Sequence, residues 1–581
     1  MTTTAGRDFV PADLDATSWE VIEPYWRSLL ERPVGSIDAL ESWILDRSEL
    51  DAACSESRAD LYIRMTCATD DVAAQEAYRR YVEAVSPRLE QASFELDRRQ
   101  TELSRLLDLE SARGGRYAVL VRDTAVEVDL FREENIPIRA ELRLLSQSYE
   151  QMVGAMTVEF DGAERTLPQM GVYQESADRT VRESAWRAVA GRRLRDADAI
   201  DDLYERMIEK RDRVARQAGF SDYVGYAFRS GHRFDYGVEE CRAFHEACEK
   251  VVVPFMRRAD ERRRAAMGLE VLRPWDLAVD VKGRPPLRPF TGGRELMERS
   301  IRVFERLDPR LSGMLAELGD GGNSSGPSAG ACLDLDSRKG KAPWGYQYMR
   351  DRSRRPFIFM NASGLHRDMS TMLHEAGHAF HSMLCRDEPL LAYRHSPIEF
   401  AEVASMSMEL LTMPHWGVFY DTEADLSRAR RRQIEDGVTL LPWIATIDAF
   451  QHWVYSNPDH SREDRAAFWL GLDGRFGHAV SWEGIEGVKS KVWQRQGHLF
   501  DHPFYYIEYG IAQIGALGLW ARSKEEGPGA AVESYLRALS LGGSRPLPEL
   551  FAAAGLAFDF GPAAMERIVD RVERELESLP E

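Results

Sequence analysis

The chain has 581 residues, 44% of them hydrophobic and 29% charged, enough apolar material to bury large cores. A formal net charge of −20 argues against nucleic acid and anionic membrane as partners. The sequence holds no run of about 18 apolar residues, so no membrane span is expected.

The first eight residues carry no apolar core and do not read as a signal peptide. Six scattered cysteines (Cys54, Cys67, Cys241, Cys248, Cys332 and Cys385) form no C-x-x-C pair and read as reduced thiols. A cytoplasmic protein is the expectation. Residues 17–112 carry long helical patterns, Trp19 to Leu30 among them. Glu76 to Leu109 reads as two helices meeting at Pro87 or as one kinked helix. Asp123 to Met156 is similar, with a break expected at Pro137. The period then changes, and Thr157 to Leu167 reads as a β-hairpin turning at Asp161-Gly162. Helices resume at Asp178. The charge-dense stretch Asp196 to Ala218 reads as a solvated face. These patterns suggest an N-terminal helical region, residues 1–190, and a catalytic region, residues 191–581. Cys241, His245 and Cys248 fall on one helix, where packing is a simpler explanation than a metal site.

Gly319 to Ala331 is the one low-complexity segment, read as a surface loop or a lid. Cys332–Asp336, residues 344–349 and Phe357–Met360 read as short strands. A small sheet there would form one wall of a site, its edge open to an extended peptide. Gly345 would permit close backbone approach, and Gly345 and Tyr346 are candidate substrate contacts.

His374-Glu375-Ala376-Gly377-His378 is an H-E-x-x-H sequence within a helical stretch, Met369 to Leu384. Residues four apart lie on one helix face, so His374 and His378 can hold one metal ion between them. Glu375 is rotated about 100° away, beside the metal, where it can take a proton from water. Leu373, Ala376, Ala379, Phe380 and Met383 make the helix largely buried, and buried histidines need partners. His381 reads as a hydrogen-bonded core histidine. A third ligand is expected on the next apolar stretch, Ser396 to Leu411, where Pro397 marks a helix start. Glu399, Glu402 and Glu409 share a face there. Glu402 is the first candidate ligand and Glu399 the second, with Glu409 orienting a ligand histidine.

Leu426 to Gly477 is helical and aromatic, and reads as core. The segment from Gln496 to Gly510 holds His498, His502, Tyr505, Tyr506 and Tyr509, then leads into an apolar helix from Ile511 to Trp520. Phenol and imidazole donors suit the negative charge that amide hydrolysis builds on the carbonyl oxygen. No nucleophile elbow, phosphate-binding loop or dinucleotide fingerprint competes for the chemistry.

Pro356–Asn361, Leu373–His381 and Glu399–Ser405 together resemble the thimet oligopeptidase and oligoendopeptidase F family. The tyrosine-rich stretch Phe504–Gln513 is similar as well, and the likeness runs from about residue 140 onward, on the oligoendopeptidase F side. It implies His374, His378 and Glu402 as ligands of one zinc ion and Glu375 as base. His498 and two of the three tyrosines become oxyanion donors, Tyr505 and Tyr509 foremost, with Tyr506 a substrate contact. The thimet branch places a Gly-Tyr pair ahead of this cluster and this chain does not, so the tyrosines' individual roles stay open. The implied fold is mostly α, a two-lobed helical zinc peptidase with a deep substrate channel and a small β-sheet beside the active-site helix. The implied activity is endopeptidase cleavage of short peptides. A dipeptidyl carboxypeptidase or carboxypeptidase of the same architecture is the alternative within enzymes. A catalytically silent peptide-binding protein is the alternative outside them. No oligomeric state is assigned.

Overall fold

Helix dominates because each long apolar periodicity finds a partner to bury against. The computed structural model describes residues 9–322, 330–338, 340–342 and 345–580. In the N-terminal part, the helices Trp19–Glu31 and Ile37–Cys67 pack with Ser86–Leu106 around Trp26, Leu29, Trp43 and Leu96. The Trp43 indole donates to the Leu29 carbonyl at 2.8 Å, so the buried ring keeps its hydrogen bond. Leu390 and Tyr393, from far along the chain, complete this core.

Pro87 interrupts a helix without ending it. Val72–Arg80 runs through a π-helical turn, Tyr81–Val85, straight into Ser86–Leu106. The wider turn ahead of Pro87 accommodates a residue that has no N–H to give and whose ring crowds the preceding turn. Pro254 repeats the device after the π turn Cys248–Val252. Pro137 is not the expected break. It lies in the first turn of Asn135–Gly154, where a missing N–H costs little, and the chain breaks earlier, after Leu130.

β1 (Thr157–Phe160) and β2 (Ala163–Thr166) form the expected hairpin, with Phe160 opposite Ala163. Asp161 and Gly162 have φ of 54° and 71°, as a primed turn requires. The helix Ala197–Gln217 corrects the solvated-face reading. Asp201 and Arg211 are buried, Asp201 against Arg465 at 3.0 Å, because long-range partners satisfy their charges.

β3 (Leu333–Asp336), β4 (Tyr346–Arg350) and β5 (Arg355–Ala362) make a sheet in the order β3-β5-β4, β3 parallel and β4 antiparallel to β5. β5 is flanked on both sides, hence its almost continuous apolar run. Much of the glycine-rich stretch, residues 323–329, lies outside the described residues, as does Trp344. The principal core runs from Leu145 to Leu576. At its centre the helix Ile398–Leu411 packs between His366–Leu384 and Tyr506–Glu525. The last of these starts at Tyr506, five residues ahead of the apolar stretch read from sequence. Among the described residues the six cysteines are unpaired and buried, and no helix is long and apolar enough to cross a membrane.

Candidate active site

The H-E-x-x-H helix, His366–Leu384, is fixed at its start by Asp368, whose carboxylate accepts from the backbone N–H of Ser363 and Leu365 at 2.8 and 3.0 Å. An acidic side chain there also complements the positive end of the helix. Met369, Met372, Leu373, Ala376 and Phe380 bury one face. Gly377 lies at the crossing with the Ile398–Leu411 helix. A Cβ there would stand 2.5 Å from the Ala404 carbonyl and from Ser405 Cα. The glycine therefore lets the two backbones approach closely enough for side chains of both to reach one point.

At that point three side chains that could hold a metal ion converge. Glu402 Oε2 lies 3.4 Å from His374 Nε2 and 3.7 Å from His378 Nε2. The three donor atoms lie within 4.8 Å of one another. Two imidazoles and one carboxylate on an open cleft match the donor set of a catalytic zinc. Second contacts hold the ligands in place. Glu409 Oε1 is 2.7 Å from His374 Nδ1, and Glu409 is itself held by Gln433 at 2.7 Å and Ser370 at 3.0 Å. Ser405 donates to Glu402 at 3.1 Å. Glu399 is elsewhere, accepting from the Tyr236 hydroxyl at 2.8 Å. Pro397 precedes this helix and does not open it. His381 is buried on the same helix as the two ligand histidines, outside the cluster, with Nε2 unpaired.

The electrostatics follow from enclosure. Burial alone would lower the His374 pKa, but Glu402 and Glu409 reverse this and hold it well above the usual value. Burial pushes His378 down to about 4. Burial would raise Glu402, yet His378 and His374 hold it at about 2. Glu375 goes the other way: burial raises it to about 7, against the pull of His374. Its Oε2 has no hydrogen-bond partner, and the nearby Gln347 backbone works weakly against the rise. The unpaired edge of β4 therefore runs past Glu375. A cleft of about 510 Å³ opens here, lined by His374, Glu375, Thr371, Arg367 and Arg432.

Gly345 sits close to this wall, where a Cβ would stand 3.4 Å from the Phe359 carbonyl and 3.8 Å from Thr371. Tyr346 points to the other face of the sheet, which corrects its reading as a substrate contact. Its hydroxyl is 2.6 Å from Thr66 and its ring stacks on Phe359 at 4.8 Å. Adjacent strand residues face opposite ways, so a side chain one residue from Gln347 faces the N-terminal helix.

The tyrosine segment lies within electrostatic reach of Glu402. Tyr505 and Tyr509 pack edge to face at 5.3 Å, and His498 lies 5.9 Å from each ring. Burial raises both phenols, Tyr509 to about 12, and each also feels the negative charge of Glu402. Tyr506 packs edge to face with His498 at 5.0 Å and Tyr509 at 5.6 Å, with Trp443, Arg495 and Gln496 near its hydroxyl. Gln496 bridges the Trp443 indole at 3.0 Å and His498 Nδ1 at 2.7 Å.

The residues that hold this segment were not foreseen from sequence. Phe504 adopts φ 66°, a left-handed conformation costly for an aromatic residue. Gln451 accepts from its N–H at 2.6 Å, and Arg233 donates both to its carbonyl and, at 2.7 Å, to Glu508. Arg211 donates to the Leu499 carbonyl at 2.9 Å. Each partner lies at least 50 residues away in the chain, which no local pattern reports.

An H-E-x-x-H helix, a glutamate from the helix Ile398–Leu411 and the Glu375 carboxylate beside them are the pattern of a metallopeptidase. The model of peptidase family M3 matches residues 172–568, and the chain belongs to that family. An oligoendopeptidase F homolog of Borreliella burgdorferi is 23% identical over 444 residues, covering 72% of this chain and 70% of that protein. Among solved structures, PZ peptidase A with an inhibitor is 26% identical at a TM-score of 0.87, covering 98% of this chain and 99% of that one. A protein provisionally described as oligoendopeptidase F is also 26% identical, at 0.86, covering 99% of both chains.

Proposed function

We propose that the chain is an oligoendopeptidase that binds one catalytic zinc ion through His374, His378 and Glu402 and cleaves short peptides in a channel. The observation that carries this reading is the convergence of those three donors beside a carboxylate whose second oxygen is unpaired. Zinc, when bound, supplies a Lewis acid and brings the pKa of water toward 7. Glu375, pushed up to about 7, is poised to take a proton from water and return it to the leaving amine. The open edge of β4 offers backbone groups to an extended substrate, fixing its carbonyl against Glu375 and the tyrosines. Tyr505 and Tyr509, with His498, donate to the developing oxyanion, and Tyr506 supports Gln496 and the substrate wall. Arg367 and Arg432 line the cleft and favour a second reading, a carboxypeptidase that grips a free C-terminal carboxylate. The six buried thiols suit the cytoplasmic location expected from sequence.

Glu375→Gln tests the proton-transfer role. The amide keeps the shape but not the basicity, so metal content and melting temperature should hold while kcat falls about 10²–10⁴-fold. Turnover within a few-fold of wild type would remove Glu375 from the mechanism.

A further inference from the structure

Behind the tyrosine segment, a second group of metal-ligating side chains lies where the helix Val238–Ala247 meets the helix Leu441–Ser456. Cys241 and His245 are one turn apart on the first helix, and Asp448 and His452 one turn apart on the second, so each helix offers two donors on one face. Cys241 Sγ, an Asp448 oxygen and a His452 ring nitrogen lie within 4.8 Å of one another. Cys241 is 1% exposed and Asp448 0%. His245 Nε2 lies 2.8 Å from Asp448 Oδ2, which orients the carboxylate. His452 Nε2 is 3.4 Å from the same oxygen, without hydrogen-bond geometry.

Two buried polar atoms in this group have no hydrogen-bond partner: Asp448 Oδ1 and His452 Nε2. A buried aspartate held by histidines for packing alone would use both oxygens, since an unmet buried acceptor is destabilising. We infer that Cys241, Asp448 and His452 form a second divalent-metal site, suited to zinc, with His245 orienting the aspartate.

The chemistry of the donors selects the ion. Sulfur with imidazole and one carboxylate favours zinc-like ions over magnesium or calcium, which take oxygen ligands. On binding, the Cys241 thiol gives its proton to solvent and the thiolate sulfur bonds the ion. One thiolate, one carboxylate and one neutral imidazole then balance a divalent charge, so the buried site is electrically neutral. A cleft of about 750 Å³, lined by His452, His245 and Ala449, comes up beside the three donors from outside. None of these residues belongs to the catalytic cluster. The His452 ring packs 5.2 Å from Phe504, and its neighbour Gln451 holds the Phe504 N–H, so the site stiffens the platform beneath the catalytic tyrosines.

The two sites separate by metal counting and by spectrum. Full-length protein loaded with zinc and freed of excess is expected to hold two ions per chain by elemental analysis. Cys241→Ser and His378→Ala should each hold one, and the double variant none. Cobalt gives the sharper reading, because only a thiolate ligand produces a sulfur-to-cobalt charge-transfer band in the near ultraviolet. That band is expected in the wild type and in His378→Ala, and absent in Cys241→Ser. The wild-type and His378→Ala spectra decide the matter even if Cys241→Ser does not fold, with His452→Gln as the second variant. One ion per chain with no charge-transfer band, or a band that survives Cys241→Ser, overturns the proposal and leaves the catalytic site untouched.

Discussion

At the scale of single residues, the tyrosine segment makes the sharpest distinction. Tyr505 and Tyr509 feel the charge of Glu402, while Tyr506 is engaged by Trp443 and Gln496. Replacing a transition-state donor by phenylalanine removes only a hydroxyl. Tyr509→Phe is expected to lower kcat about 10²–10³-fold with little change in KM, because the lost interaction belongs to the transition state. Tyr505→Phe should lower it as well, and Tyr506→Phe by only a few-fold. Steady-state kinetics of the three variants, with melting temperatures, check this; three wild-type kcat values would make the segment a packing element. The residues legible in the sequence are those whose geometry is local. His374 and His378 lie one turn apart on a single helix. Arg233 and Gln451 could not be read, since nothing near them in the sequence announces a bond to Phe504.

Among the helices and strands, the crossing at Gly377 governs whether ligands from two helices can meet. An added methyl would stand 2.5 Å from backbone atoms, which cannot swing away as a flexible side chain can. Gly377→Ala should therefore destabilise by about 1–3 kcal/mol and displace Glu402 from the two histidines. Weaker zinc retention at the catalytic site and a lower melting temperature are expected together. Unchanged metal affinity would show that the helices tolerate separation.

A second test at this scale concerns the contact between His232, past the end of the helix Tyr223–Ser230, and the helix Ala118–Leu130. His232 Nε2 is 2.6 Å from Glu127. Burial works against its protonation, but Asp123 and Glu127 raise its pKa to about 9. A raised pKa stabilises the fold fully below the unfolded value near 6.5 and ceases to do so as pH rises through about 9. Solvent screening keeps the effect near 1 kcal/mol. Urea unfolding should show His232→Gln less stable than wild type at pH 6, with the difference gone at pH 10; a constant difference would contradict the ion pair. Element types were largely readable, because hydrophobic period reports them directly. Boundaries shifted where proline was absorbed, by a π turn at Pro87 and by a first helical turn at Pro137.

For the whole molecule, sequence alone suggests a division at residue 190; the buried clusters draw on both sides of it, Leu390 and Tyr393 joining the N-terminal one and Leu145 to Met170 the principal one. The charge-dense helix Ala197–Gln217 belongs to the principal core, and Arg211 reaches across it to the tyrosine segment. Such long-range satisfaction of charge is invisible to composition, which counts charged residues without their partners. The motif helix, by contrast, was legible because metal ligation imposes a spacing within one turn. The proposed activity is metal-dependent cleavage inside a peptide. It is tested most directly by hydrolysis of an internally quenched nonapeptide, acetylated and amidated at its ends, before chelation, after chelation and after zinc is returned. Internal cleavage that disappears with the chelator and returns with zinc is the expected result. Cleavage that survives complete metal removal, or that occurs only when the C-terminus is left free, would contradict it.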